Sequence, residues 1–73
     1  MYRPQTKVAV RLEAMERSQA WLARKLGVTR QTIGAYVRGA DRCPPARQAQ
    51  IATIVERKPS ELFDGDGYAS RRF

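Results

Sequence analysis

Histidine is absent from this 73-residue chain, and cysteine occurs once, at Cys43. One cysteine excludes an internal disulfide, and without histidine the usual ligand set of a structural zinc site is excluded as well. The chain also lacks a glycine-rich phosphate loop and a nucleophile with a base partner, and its acidic residues show no metal-site spacing. We therefore expect no enzyme, no catalytic residue, no metal and no cofactor, and an inert loop thiol at Cys43.

Long apolar runs are missing too, since none reaches even ten residues. A membrane-spanning helix is therefore excluded, and residues 1–5 are followed by no apolar stretch of the kind that a signal peptide requires. A cytoplasmic location is the resulting expectation. Aromatic residues make up only 8% of the chain, so the core must come from aliphatic side chains, as in small packed helices. Trp21 is expected to be partly buried.

Positive charge is the strongest feature of the composition. Fourteen Lys and Arg face seven Asp and Glu, which gives a net charge of +7 and a pI near 10.5. Twelve of the basic residues are spread between Arg3 and Lys58, so the folded surface itself is expected to be basic. Such a surface attracts polyanions, either nucleic acid or an anionic membrane.

Apolar residues recur at helical spacing in four segments that begin and end with typical helix-terminal residues. The predicted N-caps are Thr6, Ser18 and Thr29, while Gly39 ends the third helix and Pro45 opens the fourth. With a short fifth turn, the predicted helices cover residues 6–15, 19–26, 30–38, 45–56 and 60–63. The sequence predicts a compact all-α domain over residues 1–64 and a loose basic tail over 65–73.

The second and third helices are joined by a very short turn. The second helix ends at Leu26, Gly27 supplies a positive φ at no steric cost, Val28 fills the corner, and Thr29 caps the next helix. Helices joined so closely cross at about 90–120°, which requires a small residue where their backbones meet. Ala23 lies at that position, and the spacing therefore predicts a helix-turn-helix.

The sequence resembles the Cro and phage-repressor (lambda repressor-like) type of helix-turn-helix protein over about residues 8–63. The residues that carry the resemblance are Ser18-Gln19-x-x-Leu22-Ala23-x-x-Leu26-Gly27-Val28-Thr29-Arg30-Gln31-Thr32-Ile33, Tyr36-x-Arg38-Gly39, Pro44-Pro45 and Pro59-Ser60-Glu61-Leu62-Phe63. The chain departs from the family pattern at Val37, often Glu, and at Glu56-Arg57. The resemblance implies a five-helix domain that binds double-stranded DNA, usually as a homodimer on an inverted repeat, in a bacterial or phage-infected cell and near its nucleoid.

The third helix is then expected to enter the major groove with its N-terminal residues at the base edges. The positions expected to be exposed there, and hence the predicted base contacts, are Arg30, Gln31, Gly34 and Ala35. Arginine fits guanine and glutamine fits adenine through paired hydrogen bonds, whereas the two small residues permit close approach or touch a thymine methyl. The resemblance implies that Gln19, the first residue of the second helix, contacts a phosphate. The other predicted phosphate contacts are Thr29, Thr32, Tyr36, Arg38 and Arg42.

Two other interpretations remain open. Small proteins of this fold also serve as antitoxins, in which case the 65–73 tail would bind a protein partner and the helices would bind DNA. The charge alone also allows nonspecific binding to RNA or membrane. The scarcity of aromatic residues for stacking argues against RNA, and the narrow apolar stripe of the first helix argues against a membrane. A sequence-specific DNA-binding transcriptional regulator is the prediction that fits best.

Overall fold

A computed structural model describes residues 6–71 of the chain. Within that range five helices follow one another: α1 (Lys7–Ala14), α2 (Gln19–Leu26), α3 (Arg30–Arg38), α4 (Pro45–Val55) and α5 (Pro59–Leu62). The predicted all-α class is confirmed, and the predicted helix ends agree to within about one residue. None of the helices in residues 6–71 is long and apolar enough to cross a membrane.

The three predicted N-caps are confirmed. The side-chain oxygen of each cap accepts a backbone N–H from the first turn of its helix: Thr6 from Ala9, Ser18 from Trp21, and Thr29 from Thr32. These bonds satisfy donors that have no partner inside the helix. The sequence therefore fixes where α1, α2 and α3 begin by local chemistry alone.

The first four helices end in the same way, with a residue in the left-handed region. That residue is Gly27 after α2 (φ +73) and Gly39 after α3 (φ +75), as predicted. After α1 and α4 it is a glutamate, Glu16 (φ +56) and Glu56 (φ +58). In each case the next N–H bonds to the carbonyl five residues back, which closes the helix. Only the two glycines adopt this conformation without steric cost.

One aliphatic cluster forms the core. Leu22 and Ile33, which the helix-turn-helix pattern directs into the angle between α2 and α3, are fully buried, and Ala23 lies buried beside them. Leu26 and Val28 are half-buried and pack against the same cluster. The cluster continues through Val8, Leu12, Val37, Ile51, Ala52, Val55 and Leu62. Every helix therefore contributes to holding α2 and α3 at their crossing.

The predicted loose tail is wrong for residues 65–71. Together with Asp64, these residues form a segment, here called the C-terminal strap (64–71), that packs against the helices. Ala69 is buried and makes an antiparallel bridge with Phe63, and Arg71 makes another with Thr6. The backbone of Ser70 donates to Leu62 (2.8 Å) and accepts from Lys7 (2.9 Å). Arg72 and Phe73 lie outside the described residues.

The strap starts with a turn, although its polar and glycine-rich composition is typical of a loose loop. The Asp64 carboxylate accepts the N–H of Asp66 (2.9 Å) and of Tyr68 (3.1 Å). Gly67 continues the reversal with φ +92. An aspartate that bonds the backbone two residues on is a common way to build a turn. The polar residues after α5 thus return the chain to the helices.

Two further side chains connect helices across the fold. Thr6 is almost fully buried, and its hydroxyl donates to the carbonyl of Val37 near the end of α3. Arg11 on α1 donates through Nε to the carbonyl of Val55 at the end of α4 (2.8 Å). Both bonds satisfy carbonyls that a helix end leaves without a partner. They fix α1 relative to α3 and α4.

Candidate nucleic-acid interface

The helix-turn-helix carries a continuous acid-free stretch. Residues 17–40 contain five basic residues and no Asp or Glu, although the whole chain has seven acids. The first turns of α2 and α3 are therefore free of acidic side chains. Because a helix N-terminus is the positive end of its dipole and exposes free N–H groups, both ends favour phosphate.

A shallow cleft of about 370 Å³ opens between the start of α2 and the exposed face of α3. We call it the α2–α3 cleft. Its lining consists of Gln19, Arg30, Gln31, Gly34 and Arg38. Arg30 and Gln31 are exposed on the first turn of α3, and Arg38 is exposed at its last turn. The fold thus brings together five of the ten residues that the sequence assigns to DNA.

Gly34 is buried, so the prediction that it is exposed is wrong. A Cβ at this position would lie 3.1 Å from Nη1 of Arg38 and 3.4 Å from Oε1 of Gln19. The side chains of these two residues, one from α2 and one from the next turn of α3, therefore lie over the glycine backbone. Ala35, also predicted to be exposed, is half-buried. Gly34 forms the floor of the cleft, and polar side chains cover it.

The three hydroxyl residues predicted to contact phosphate, Thr29, Thr32 and Tyr36, already make contacts within the protein. Thr29 is exposed, but its Oγ1 accepts the N–H of Thr32 (3.2 Å) and is 2.8 Å from the Oγ1 of Thr32. Thr32 and Tyr36 are half-buried, and the Tyr36 ring packs against the core cluster. Thr29 and Thr32 therefore stabilise the start of α3, and Tyr36 anchors its middle.

Arg42 lies outside the α2–α3 cleft. It is exposed in the connection between α3 and α4, and its backbone N–H donates to the Asp41 carboxylate (2.9 Å). The stem of its side chain runs beside the backbone of Gly67 in the C-terminal strap. Arg42 therefore follows α3 closely in the chain, but its side chain contacts the strap and not the α2–α3 cleft.

A cation–aromatic stack on α2 was missed by the sequence reasoning. The ring of Trp21, half-buried as predicted, has the Arg17 guanidinium 5.0 Å and the Lys25 ammonium 5.7 Å from its centroid. Both distances are within the range of favourable cation–π contacts. Only the Lys25 contact had a signal in the sequence, since Lys25 lies four residues after Trp21 on the same face of α2, whereas Arg17 precedes the N-cap Ser18. The stack places one positive charge before the start of α2 and one near its end, both beside the Trp21 ring.

Cys43 is fully buried between α3 and α4. Burial raises the pKa of its thiol from 9.0 to about 11, against the opposing effect of the nearby Arg47 charge. Because the thiolate is the reactive form, the raised pKa agrees with the predicted inert thiol.

Comparison with known proteins gives one clear relationship. A family model described as helix-turn-helix matches residues 8–52, which is more than half of the chain. The matched region runs from α1 to α4 and includes all residues of the α2–α3 cleft. No curated protein and no solved structure matches significantly. The chain therefore belongs to the lambda repressor-like helix-turn-helix family of DNA-binding regulators.

Proposed function

We propose that this regulator recognises a specific operator by inserting α3 into the major groove, as Cro and phage repressors do. The observation that supports this most is the α2–α3 cleft. It brings the exposed side chains of Arg30 and Gln31 together with those of Gln19 and Arg38, and no acidic residue lines it. Binding to bulk polyanions would need only the charge and would not require this grouping.

Arg30 and Gln31 are the proposed base readers. Both are exposed on the first turn of α3, where a recognition helix meets base edges. The guanidinium suits O6 and N7 of guanine, and the amide suits N6 and N7 of adenine, each worth about 1–3 kcal/mol of discrimination. Ala35, half-buried one turn further on, offers a methyl group to thymine. Gly34 is proposed to act by leaving room for the side chains of Gln19 and Arg38 above the floor of the cleft.

The proposed phosphate contacts surround these readers. Gln19 and Arg38 lie over Gly34 at the edge of the cleft and would grip the sugar–phosphate backbone on either side. The further proposed contacts are the hydroxyls of Thr29, Thr32 and Tyr36, and the guanidinium of Arg42. Such contacts set the register of the protein on DNA and make its affinity strongly dependent on salt.

A homodimer on an inverted repeat is part of the proposal. Two base-reading side chains specify too few base pairs for a unique site, and a second subunit doubles them. Half-sites one helical turn apart, about 34–36 Å, would place both copies of α3 in successive major grooves. A repressor acts by occupying such a site. We therefore propose that the protein is located in the cell where its operator DNA is.

The antitoxin interpretation loses its main support. It required a loose segment that could wrap a protein partner, but the strap is packed from Asp64 to Arg71 and partly buried. Releasing it would break its bridges to Thr6 and Phe63. We therefore propose no protein partner beyond a second copy of the chain.

Selection from random duplex DNA at physiological salt tests the proposal. Wild type is expected to enrich an inverted repeat, and the Arg30→Ala, Gln31→Ala double variant is expected to lose or relax it. A matched control is Arg24→Ala with Gln50→Ala, which removes the same side-chain types from exposed sites outside the cleft. The control should enrich the wild-type motif. If wild type and both variants bind equally with no motif, specific readout is refuted.

A further inference from the structure

The C-terminal strap is attached directly to the connection between α3 and α4. The backbone N–H of Cys43 donates to the carbonyl of Gly67 (2.8 Å). A Cβ on Gly39, the C-cap of α3, would lie 3.4 Å from the carbonyl oxygen of Ala69. The strap therefore contacts both the end of α3 and the loop that carries Arg42.

Gly67 is the point of closest approach. Its φ is +92, a conformation that residues with a side chain rarely adopt, and it is buried. A Cβ built there would lie 3.1 Å from Cγ of Arg42, 3.2 Å from its Nε and 3.2 Å from the carbonyl oxygen of Cys43. The missing side chain is what leaves room for the Arg42 stem to cross the strap.

We propose that Gly67 is a positioning residue for DNA binding, because the absence of a side chain there lets the stem of Arg42 lie against the strap and its guanidinium reach the phosphate backbone beside α3. The inference rests on the proposed function, in which Arg42 binds a phosphate. The strap would then contribute to the DNA-binding surface, although it is distant from the helix-turn-helix in sequence.

The size of the effect follows from side-chain ordering. An arginine that is already held in place loses less conformational freedom when it binds than one that is free in solution. Ordering a long side chain at an interface costs enough to change affinity by about two- to tenfold. Gly67→Ala is therefore expected to weaken DNA binding by about that factor per subunit.

The test compares two glycines of the same strap. Gly67→Ala places a methyl group against Arg42 and the Cys43 carbonyl at a residue with φ +92, whereas Gly65→Ala has open space around its Cβ and serves as the control for a methyl group in the strap. The Arg42→Ala background separates the Arg42 contact from the backbone strain. Each change is made in the wild type and in an Arg42→Ala background. Affinity is measured against salt concentration, on random-sequence duplex and on any operator that selection yields, at a temperature where thermal unfolding shows every variant to be folded.

The expected pattern is specific. Gly67→Ala weakens binding and moves the salt slope towards that of Arg42→Ala, which should be shallower by about one unit per subunit. In the Arg42→Ala background the same change has no further effect on affinity, although the strain at Gly67 still lowers the unfolding midpoint. The proposal is overturned if Gly67→Ala binds as well as Gly65→Ala, or if its penalty persists without Arg42. Random duplex reports on phosphate contacts even where no operator is selected, so this result is separable from failure of the proposed readout.

Discussion

Replacing Gly34 by alanine should make the protein more stable and a weaker DNA binder. Gly34 lies inside α3, where glycine is less favourable than alanine by about 0.5–1 kcal/mol. The new methyl would meet only the ends of two flexible side chains, Arg38 at 3.1 Å and Gln19 at 3.4 Å. Arg38 is exposed and can move by a few tenths of an ångström. The helix should therefore keep most of the gain from the substitution.

The gain in stability is measurable by heat. For a domain of this size, 1 kcal/mol shifts the unfolding midpoint by about 4–8 °C, so Gly34→Ala should raise it by about 2–8 °C. Circular dichroism and the fluorescence of Trp21, the single tryptophan, report the transition independently. Agreement of the two probes would support two-state unfolding.

The loss of binding has the same structural origin. The side chains that must move away from the methyl, Gln19 and Arg38, are the proposed phosphate contacts at the edge of the α2–α3 cleft. Displacing them should cost about the worth of one ordinary hydrogen bond, a two- to tenfold loss of affinity. Anisotropy of labelled operator at fixed salt measures it. In an Arg38→Ala background the methyl has more room, so the penalty should shrink.

Two outcomes would contradict this reasoning. A lower unfolding midpoint for Gly34→Ala would mean that Gln19 and Arg38 cannot move and that the cleft is rigid. Unchanged or tighter operator binding would mean that the glycine does not serve to place them.

Three further changes test other parts of the structure. Glu56→Gly removes the strain of a left-handed glutamate (φ +58) and a negative charge at the carboxyl end of α4, so the free energy of unfolding in urea should rise by about 0.5–1 kcal/mol. A lower free energy of unfolding would show that Glu56 is not strained. Thr6→Val keeps the shape but removes both the N-cap of α1 and the bond to the Val37 carbonyl, and should cost about 2–4 kcal/mol, whereas the exposed Thr53→Val control should change little. The folded state raises the pKa of Cys43 to about 11, so the unfolded chain loses its thiol proton first and stability should fall as pH rises from 9.0 to about 11; a Cys43→Ala variant that shows the same fall would refute that cause.

Much of the fold could be predicted because its signals are local. The caps at Ser18 and Thr29 and the glycines at 27 and 39 specify where α2 and α3 begin and end within a few residues of chain. The short turn then leaves the two helices little choice of angle. The helix-turn-helix is thus encoded almost entirely by neighbouring residues.

The candidate site was less predictable, since its arrangement depends on contacts between elements. Sequence spacing identified Arg30 and Gln31 as exposed, which the structure confirms. It could not show that Gln19 from one helix and Arg38 from another lie over Gly34, because the path of a long side chain depends on its packing. The prediction that Gly34 is exposed failed for that reason.

The strap could not be predicted from the sequence for a different physical reason. Its bridges pair Thr6 with Arg71, at opposite ends of the chain, and no local periodicity signals a single bridged pair. Its polar and glycine-rich composition has the same appearance in a loose tail and in a packed segment whose turn is built by Asp64. The distinction comes from what the other residues provide, namely a buried position for Ala69 and free backbone groups at Lys7, Cys43 and Leu62. A short helical domain that must keep a basic surface for DNA can thus gain stability by closing its ends with backbone bonds, which add no charge and cover none of the α2–α3 cleft.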